Sequence, residues 1–226
     1  MEIAQREKRM TSNTIMLFAP HPDDEILGVG GTIAKKVNCG WKVIDCIVTS
    51  GKDFKERSKE AIAANKELGI SETVFLDFPD LGLDRVSHTA FTDAIRGMLE
   101  KYKPVEVYLP HPGDLHTDHK ALTAAAMVAI RLKYDFAPKY AYAYETLSET
   151  ELDFQSPQNS FGANVYVDIT DTLDAKIKAL HKHESQLEQF PGSRCEEAIK
   201  ALATYRGAQA GMHAAEAFSL IRGYER

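Results

Sequence analysis

The chain has 226 residues, of which 44% are hydrophobic and 27% are charged, a composition typical of a globular domain with an ordinary core. Its net charge of −6 and the absence of a basic stripe argue against a nucleic-acid-binding protein. The first 13 residues lack the apolar stretch of a secretory signal, and no window has the ~20 apolar residues of a membrane span.

Strand and helix patterns alternate along the chain. Strands are predicted over Thr14–Ala19, Trp41–Thr49, Thr73–Leu76, Val105–Leu109, Tyr140–Tyr144 and Val165–Ile169. Helices are predicted over Pro22–Asn38, Phe54–Leu68, His88–Tyr102, Lys120–Leu132, Asp171–Gln189 and Arg194–Tyr205, so the last third is mostly helical. At least four strand–helix alternations predict an α/β fold: a Rossmann-like, mostly parallel sheet with helices on both faces. We expect a single domain over residues 1–226, with 1–13 as a flexible N-terminal extension.

Gly28, Gly30 and Gly31 lie inside the first predicted helix. A dinucleotide-binding fingerprint places its glycines in the turn directly after the strand, and here His-Pro-Asp-Asp-Glu occupies that turn. Two carboxylates would also repel a pyrophosphate. A nucleotide-binding module is therefore the weakest hypothesis, and the glycines are better explained by a helix that lies close to the sheet.

Two clusters of potential metal ligands each follow a predicted strand. They are His21, Asp23 and Asp24 after the first strand, and His116, Asp118 and His119 after the fourth. The carboxyl ends of parallel strands share one edge of the sheet, so we expect the two clusters to meet there. Taken alone, Pro-Asp-Asp-Glu is an ordinary helix start and His-Thr-Asp-His an ordinary polar loop. Together they favour a metal site.

A catalytic zinc site commonly has three protein ligands, often two His and one carboxylate, and an open position for water. His21 and Asp24 are one helical turn apart, and His119 is a natural third ligand. The spacing does not decide which aspartate of the first cluster binds metal and which acts as the base. His116 is a candidate donor to an oxyanion, and Asp118 is placed to fix an imidazole tautomer.

At these residues the sequence resembles the zinc-dependent LmbE-like (PIG-L) N-acetylglucosaminyl deacetylases. The resemblance rests on Ala-Pro-His-Pro-Asp-Asp-Glu at 19–25 and His-Thr-Asp-His at 116–119, which form a specific ordered pair. Weaker similarities extend over nearly the whole chain, at Arg57–Ala61, Leu68–Gly69, Phe78–Asp80, Val167–Thr170, His183–Gln186 and Ala215–Phe218. The sequence departs from the family at Phe161-Gly-Ala-Asn164, where the family often has Pro before Asn. The resemblance implies that this loop shapes the acceptor side of the substrate site, so the departure affects the identity of the substrate.

The resemblance implies roles for particular residues. The metal ligands would be His21, Asp24 and His119, the catalytic groups Asp23, His116 and Asp118, and the substrate-binding residues Arg57, Asp80 and His183. Asp23 would be the general base, and His116 would stabilise the oxyanion or protonate the leaving amine. Asp118 would orient its neighbours, while Arg57 and Asp80 would contact the sugar.

The function implied is that of a zinc-dependent hydrolase that removes the acetyl group from an N-acetylglucosamine-type amino sugar or its conjugate. Zn²⁺ is the expected cofactor, with Fe²⁺ or another divalent metal as the alternative. Two competing functions remain: hydrolysis of another amide, as in a thiol-sugar conjugate, and an iron(II) enzyme with two His and one carboxylate. The expected partner is a small amino-sugar substrate in the cytoplasm, without nucleic acid or a membrane span, and a homo-oligomer stays open.

Overall fold

The computed structural model describes residues 13–51, 53–154 and 156–225. The predicted extension, apart from Asn13, lies outside these residues. Seven strands in the described part form one sheet: β1 (Thr14–Ala19), β2 (Lys42–Ser50), β3 (Glu72–Pro79), β4 (Glu106–Pro110), β5 (Tyr140–Tyr144), β6 (Val165–Asp168) and β7 (Ala215–Gly223). The helices are α1 (Asp24–Asn38), α2 (Phe54–Glu67), α3 (His88–Tyr102), α4 (Thr117–Ala129), α5 (Leu173–Leu180) and α6 (Glu196–Ala210).

The sheet has the order β3-β2-β1-β4-β5-β7-β6. Strands β1 to β5 run parallel, whereas β7 runs antiparallel to both of its neighbours. The strand order reverses between β1 and β4, which are adjacent in the sheet although two βα units separate them in sequence. Such a switch point opens a crevice at the carboxyl ends of the strands. The predicted α/β fold with a mostly parallel sheet is confirmed.

Strand β1 shows why the sheet is covered on both faces. Its residues alternate between two apolar cores: Met16 and Phe18 pack with helices α3 and α4, whereas Ile15 and Leu17 pack with α1, α2, α5 and α6. A strand that is buried on both faces has a continuous apolar sequence. Across the described residues, no helix combines the length and the apolar character that a membrane crossing needs.

The chain beyond β5 differs from the prediction. The helix predicted over Asp171–Gln189 ends at Leu180 and is followed by a short 3-10 helix at Glu184–Gln186. Strand β7 was not predicted, because its first four residues are all buried, with a glutamate among them, and lack the alternation of a half-exposed strand. The helix predicted from Lys120 begins at Thr117 instead, because the ring Nδ1 of His116 accepts a hydrogen bond from the Asp118 N–H and caps it.

Close approach between helix α1 and the sheet depends on glycine. A Cβ atom at Gly28 would lie 2.2 Å from the ring of Tyr144 on β5, and one at Gly31 would lie 2.8 Å from Ile169. Tyr144 is fully buried, and its hydroxyl donates to the carbonyl of Phe18 at 2.9 Å, so the ring has little room to move. The predicted reason for the glycines is therefore confirmed at these two positions.

We expect Gly28→Ala to lower the free energy of unfolding by about 1–3 kcal/mol, because the added methyl group overpacks the contact with Tyr144. Gly97→Ala on helix α3 is the matched control, since nothing lies within 4 Å of its Cβ position. There the change should raise the free energy of unfolding by about 0.5–1 kcal/mol, as Ala suits a helix better than Gly. Urea unfolding measures both, and equal effects would contradict the packing explanation.

Candidate metal centre

The ends of strands β1 and β4 place the two predicted clusters in one crevice. After β1, the carbonyl of Pro20 accepts hydrogen bonds from the Thr49 amide at 3.0 Å and hydroxyl at 2.8 Å, which fixes the turn leading to His21. Helix α1 then begins at Asp24, whose carboxylate accepts from the His21 amide at 2.9 Å. On the other side of the crevice, His119 lies in the first turn of α4.

Three potential ligand atoms converge on one point. The Oδ2 atom of Asp24 lies 3.2 Å from Nδ1 of His21 and 3.3 Å from Nε2 of His119. One ligand atom from each residue lies within 4.8 Å of the other two, and all three residues are buried. In a tetrahedral zinc site with bonds of about 2.0–2.1 Å, ligand atoms are about 3.3 Å apart. The spacing therefore suits one small divalent cation.

The Nε2 atom of His119 is the best single indicator of that fit. It is buried and has no hydrogen-bond partner among the described residues, although it faces Asp24. The other ring nitrogen, Nδ1, is 2.8 Å from the carboxylate of Asp114. With the hydrogen on Nδ1, this arrangement fixes the tautomer and leaves the lone pair of Nε2 free to bind a metal ion, as in many zinc sites. Two imidazole nitrogens and one carboxylate oxygen are ligands that zinc accepts.

Charge in the crevice also favours a cation. Burial raises the pKa of Asp24, but His119 and His21 outweigh it and hold that pKa well below the usual value. Burial lowers the pKa of His119, whereas Asp24 and Asp114 raise it to about 9. For His21, burial likewise lowers the pKa, and hydrogen bonds to Asp118 and Asp24 carry it well above the usual value. Carboxylates that stabilise imidazolium ions in this way also attract a metal ion in place of the protons.

A second ligand set, His21 with His116 and Asp118, lies in the same crevice. Its carboxylate is already engaged, because the two oxygens of Asp118 accept from the amides of Leu81 at 2.8 Å and Leu83 at 2.9 Å. Its Oδ2 is also 3.4 Å from Nε2 of His21. Asp118 therefore joins the loop after β3 to His21, and the set with Asp24 is the better metal site.

Asp23 is buried beside the metal centre in a strained conformation. Its φ of 122° is rare for a residue with a side chain, and its amide donates to the carboxylate of Glu25 at 2.9 Å. Its carboxylate lies between two guanidinium groups, with Arg57 and Arg194 each 3.4 Å away. Burial and the charge of Asp24 raise the pKa of Asp23 to about 6, while the two arginines act in the opposite direction.

The three predicted substrate-binding residues have different environments. Arg57 and Asp80 are partly exposed at the mouth of the crevice, where Arg57 donates to the Pro22 carbonyl at 2.9 Å and Asp80 lies 3.3 Å from His21. His183 has no exposed surface, and its Nε2 is 3.3 Å from Glu25. The ring therefore offers no exposed surface for direct contact with a substrate.

Two residues of the site were missed in the sequence. Asp114, which contacts His119, is fully buried and also accepts a 2.6 Å hydrogen bond from the Thr150 hydroxyl. Its position two residues before His116, in the same loop, was the available signal. Arg194 also extends to the Ser148 hydroxyl, to which its Nε donates at 2.9 Å. It comes from the connection before α6, and no spacing in the sequence links it to the β1 loop.

The fold and these residues define an α/β protein with a candidate site for one metal ion at the switch point of its sheet. The model of the GlcNAc-PI de-N-acetylase family, PIG-L, matches residues 16–130, which include both ligand loops and more than half of the chain. The chain therefore belongs to the PIG-L family.

Individual relatives agree with this assignment. Diacetylchitobiose deacetylase of Thermococcus kodakarensis is 27% identical over 229 residues, covering 92% of this chain and 83% of that protein. The structure of N,N'-diacetylchitobiose deacetylase from Pyrococcus horikoshii has a TM-score of 0.75 at 23% identity and covers 93% of this chain and 84% of that one.

The fold alone does not determine the reaction. GalB from Pseudomonas putida, a 4-carboxy-2-hydroxymuconate hydratase, has a TM-score of 0.78 at 19% identity, covering 95% of this chain and 98% of its own. A hydratase and a deacetylase therefore share this architecture. For that reason the reaction has to be inferred from the site.

We expect His119→Ala to lose its metal, because the change removes a ligand atom. Asp114→Asn should bind metal about 10–100-fold more weakly, since it loses the carboxylate that orients the imidazole. Elemental analysis and a competition assay with a chromophoric chelator measure both effects. His181→Ala is the control, because His181 is exposed and pairs with Glu196 away from the crevice. Wild-type metal content in His119→Ala would contradict the ligand assignment.

Proposed function

We propose that this protein is a zinc-dependent deacetylase that removes the acetyl group from an N-acetylglucosamine-type amino sugar or its conjugate. One observation carries the proposal: the ligand atoms of His21, Asp24 and His119 converge beside the buried carboxylate of Asp23, a residue with a strained backbone. Membership of the PIG-L family and the diacetylchitobiose deacetylase relative support the choice of substrate.

When bound, a divalent metal supplies Lewis acidity at the acetyl carbonyl and lowers the pKa of a coordinated water to about 7. Asp23 then acts as the general base that accepts the proton of the attacking water. Its Oδ2 atom accepts no hydrogen bond within the described part of the chain, and the Nη1 atom of the charged Arg194 lies 3.4 Å from it. Arg57 and Arg194 favour the ionised form of this carboxylate, which a base requires.

We assign to His116 the stabilisation of the oxyanion of the tetrahedral intermediate. Its Nδ1 accepts the Asp118 amide at 3.1 Å, so in the neutral ring the hydrogen lies on Nε2. That N–H group can donate to the carbonyl oxygen as negative charge develops on it. The proton taken by Asp23 returns to the nitrogen, the C–N bond breaks, and acetate and the free amine leave.

The sugar is recognised at the mouth of the crevice by Arg57 and Asp80. A guanidinium offers a planar fork of donors, and the Asp80 carboxylate accepts from hydroxyl groups, so the two can bind adjacent sugar oxygens. His183 has no exposed surface, which favours an indirect role over direct contact with the sugar. We therefore assign it a positioning role through Glu25, whose carboxylate also accepts the Asp23 amide.

Zinc is the metal we favour, because the donor set of two imidazoles and one carboxylate with an open position is common in catalytic zinc sites. Iron(II) accepts the same donors, so elemental analysis of protein purified without oxygen distinguishes the two metals. We also propose a cytoplasmic enzyme with a single catalytic domain; a homo-oligomer stays open.

A panel of N-acetylated amino sugars and their conjugates, scored for freed amine and acetate, tests the function. We expect deacetylation by the metal-loaded protein and a loss of about 10²–10⁴-fold in kcat for Asp23→Asn, because a general base contributes that much. The asparagine has the same shape, tolerates a positive φ and should leave the metal content unchanged. Full activity in this variant would refute the base assignment, and failure on the whole panel would refute the proposed substrate class.

A further inference from the structure

A buried ion pair contacts the middle of helix α1. Lys176 of α5 and Glu216 of β7 are both about 5% exposed or less, and the Lys176 Nζ lies 2.6 Å from the Glu216 Oε1. Glu216 belongs to the Ala215–Phe218 segment, which resembles the family and has no part in the proposed reaction. Two buried charges need further hydrogen bonds to offset their desolvation. Here those partners are backbone groups of α1.

Both members of the pair bind the α1 backbone. The two carboxylate oxygens of Glu216 accept the amides of Gly31 at 2.9 Å and Thr32 at 2.7 Å, and the Lys176 Nζ donates to the Leu27 carbonyl at 2.8 Å. In a regular α-helix, the Leu27 carbonyl would accept the Gly31 amide. Both groups of this pair have side-chain partners, so Lys176 and Glu216 together hold the α1 backbone at this turn.

The pair contacts α1 between its first two turns and the rest of the helix. An ammonium group at a carbonyl resembles the cap of a helix C-terminus, and a carboxylate on two amides resembles the cap of a helix N-terminus. The hydroxyl of Thr172 adds a hydrogen bond to the Gly31 carbonyl at 2.8 Å. Side chains inserted in a ladder bend a helix and set the direction of the turns on either side.

The first part of α1 carries the groups that the proposed function requires. Asp24 is three residues before Leu27, or about 4.5 Å along the helix axis, and Asp23 precedes it. Three glycines in the middle of α1 provide little intrinsic stiffness. The direction of the first two turns therefore depends on outside contacts. Glu25 contacts His183 and Asp24 contacts His119 through their side chains, whereas the buried Lys176–Glu216 pair binds the backbone of the helix.

We propose that Lys176 and Glu216 are positioning residues that direct the first turns of α1, so that Asp24 meets His21 and His119 and Asp23 meets the attacking water. The proposal rests on the proposed function for its catalytic part. Its part concerning metal affinity rests on the geometry of the metal centre alone.

The test replaces both charges at once, in Lys176→Met/Glu216→Leu. Replacing a buried ion pair by apolar residues is often neutral for stability, and the Leu27 carbonyl and Gly31 amide can then bond to each other. We expect a folded protein with a regular α1 that binds Zn²⁺ about 10–100-fold more weakly. At saturating zinc, kcat should fall by a similar factor, while KM stays near the wild-type value because Arg57 and Asp80 lie on other elements.

The matched control removes a second ion pair from the same helix. Lys36 is near the C-terminal end of α1, and its Nζ lies 2.7 Å from Glu106 of β4. This end of the helix is the one opposite to Asp24. Lys36→Met/Glu106→Gln should retain both the zinc affinity and kcat. Glu216→Gln, with the same shape and one remaining acceptor, is the second variant and decides the question by the same measurements if the double variant does not fold.

Wild-type zinc affinity together with wild-type kcat in the folded double variant would overturn the proposal. An equal loss in the Lys36 control would overturn it too, because it would indicate general loosening of the helix. Zinc affinity is measured by chelator competition without substrate. It therefore tests the positioning role even if no N-acetyl sugar is deacetylated by the wild-type protein.

Discussion

The metal centre depends on one buried carboxylate oxygen, Oδ2 of Asp24, which lies within 3.3 Å of imidazole nitrogens from both ligand loops. Its position follows from three features of the fold. Strand β1 ends at Ala19, and helix α1 begins at Asp24. The strand order of the sheet reverses between β1 and β4, so His119 at the start of α4 faces the start of α1. A change in the direction of α1 would separate the ligand atoms even with every ligand residue present.

Burial of like charges is the second constraint on this region. Asp23, Asp24 and Glu25 are consecutive and each at most 2% exposed, and Asp45 lies fully buried on β2. Burial and the nearby charge of Glu25 raise the pKa of Asp45 well above its usual value. Such a cluster is unfavourable without positive charge, which the surrounding arginines and histidines supply in the structure. A divalent cation would supply it in the proposed enzyme.

The parts of this arrangement that are local in sequence could be predicted. Strand β1, the polar loop after it and the helix after that follow directly from the order of apolar, proline and acidic residues. The second cluster and the shared sheet edge follow from strand–helix alternation. Asp114 was within reach of the same reasoning, because a carboxylate near a ligating histidine commonly orients the ring.

The remaining features depend on contacts between distant segments. Arg194 meets Asp23 from a connection about 170 residues away, and Glu216 meets Gly31 across 185 residues. The spacing of apolar and polar residues along the sequence does not indicate such long-range pairs. Strand β7, which carries Glu216, lacks the alternating pattern because its first four residues are all buried, the charged Glu216 among them. His183 has a polar sequence environment and yet is fully buried, because tertiary packing overrides local polarity.

The most direct test of the account is a crystal structure of the metal-loaded protein with anomalous scattering data at the zinc edge. We expect one strong anomalous peak at about 2.0–2.2 Å from Nδ1 of His21, an oxygen of Asp24 and Nε2 of His119, with a fourth position occupied by solvent. A peak bound by His116 and Asp118 instead, or zinc bound elsewhere on the chain, would contradict it.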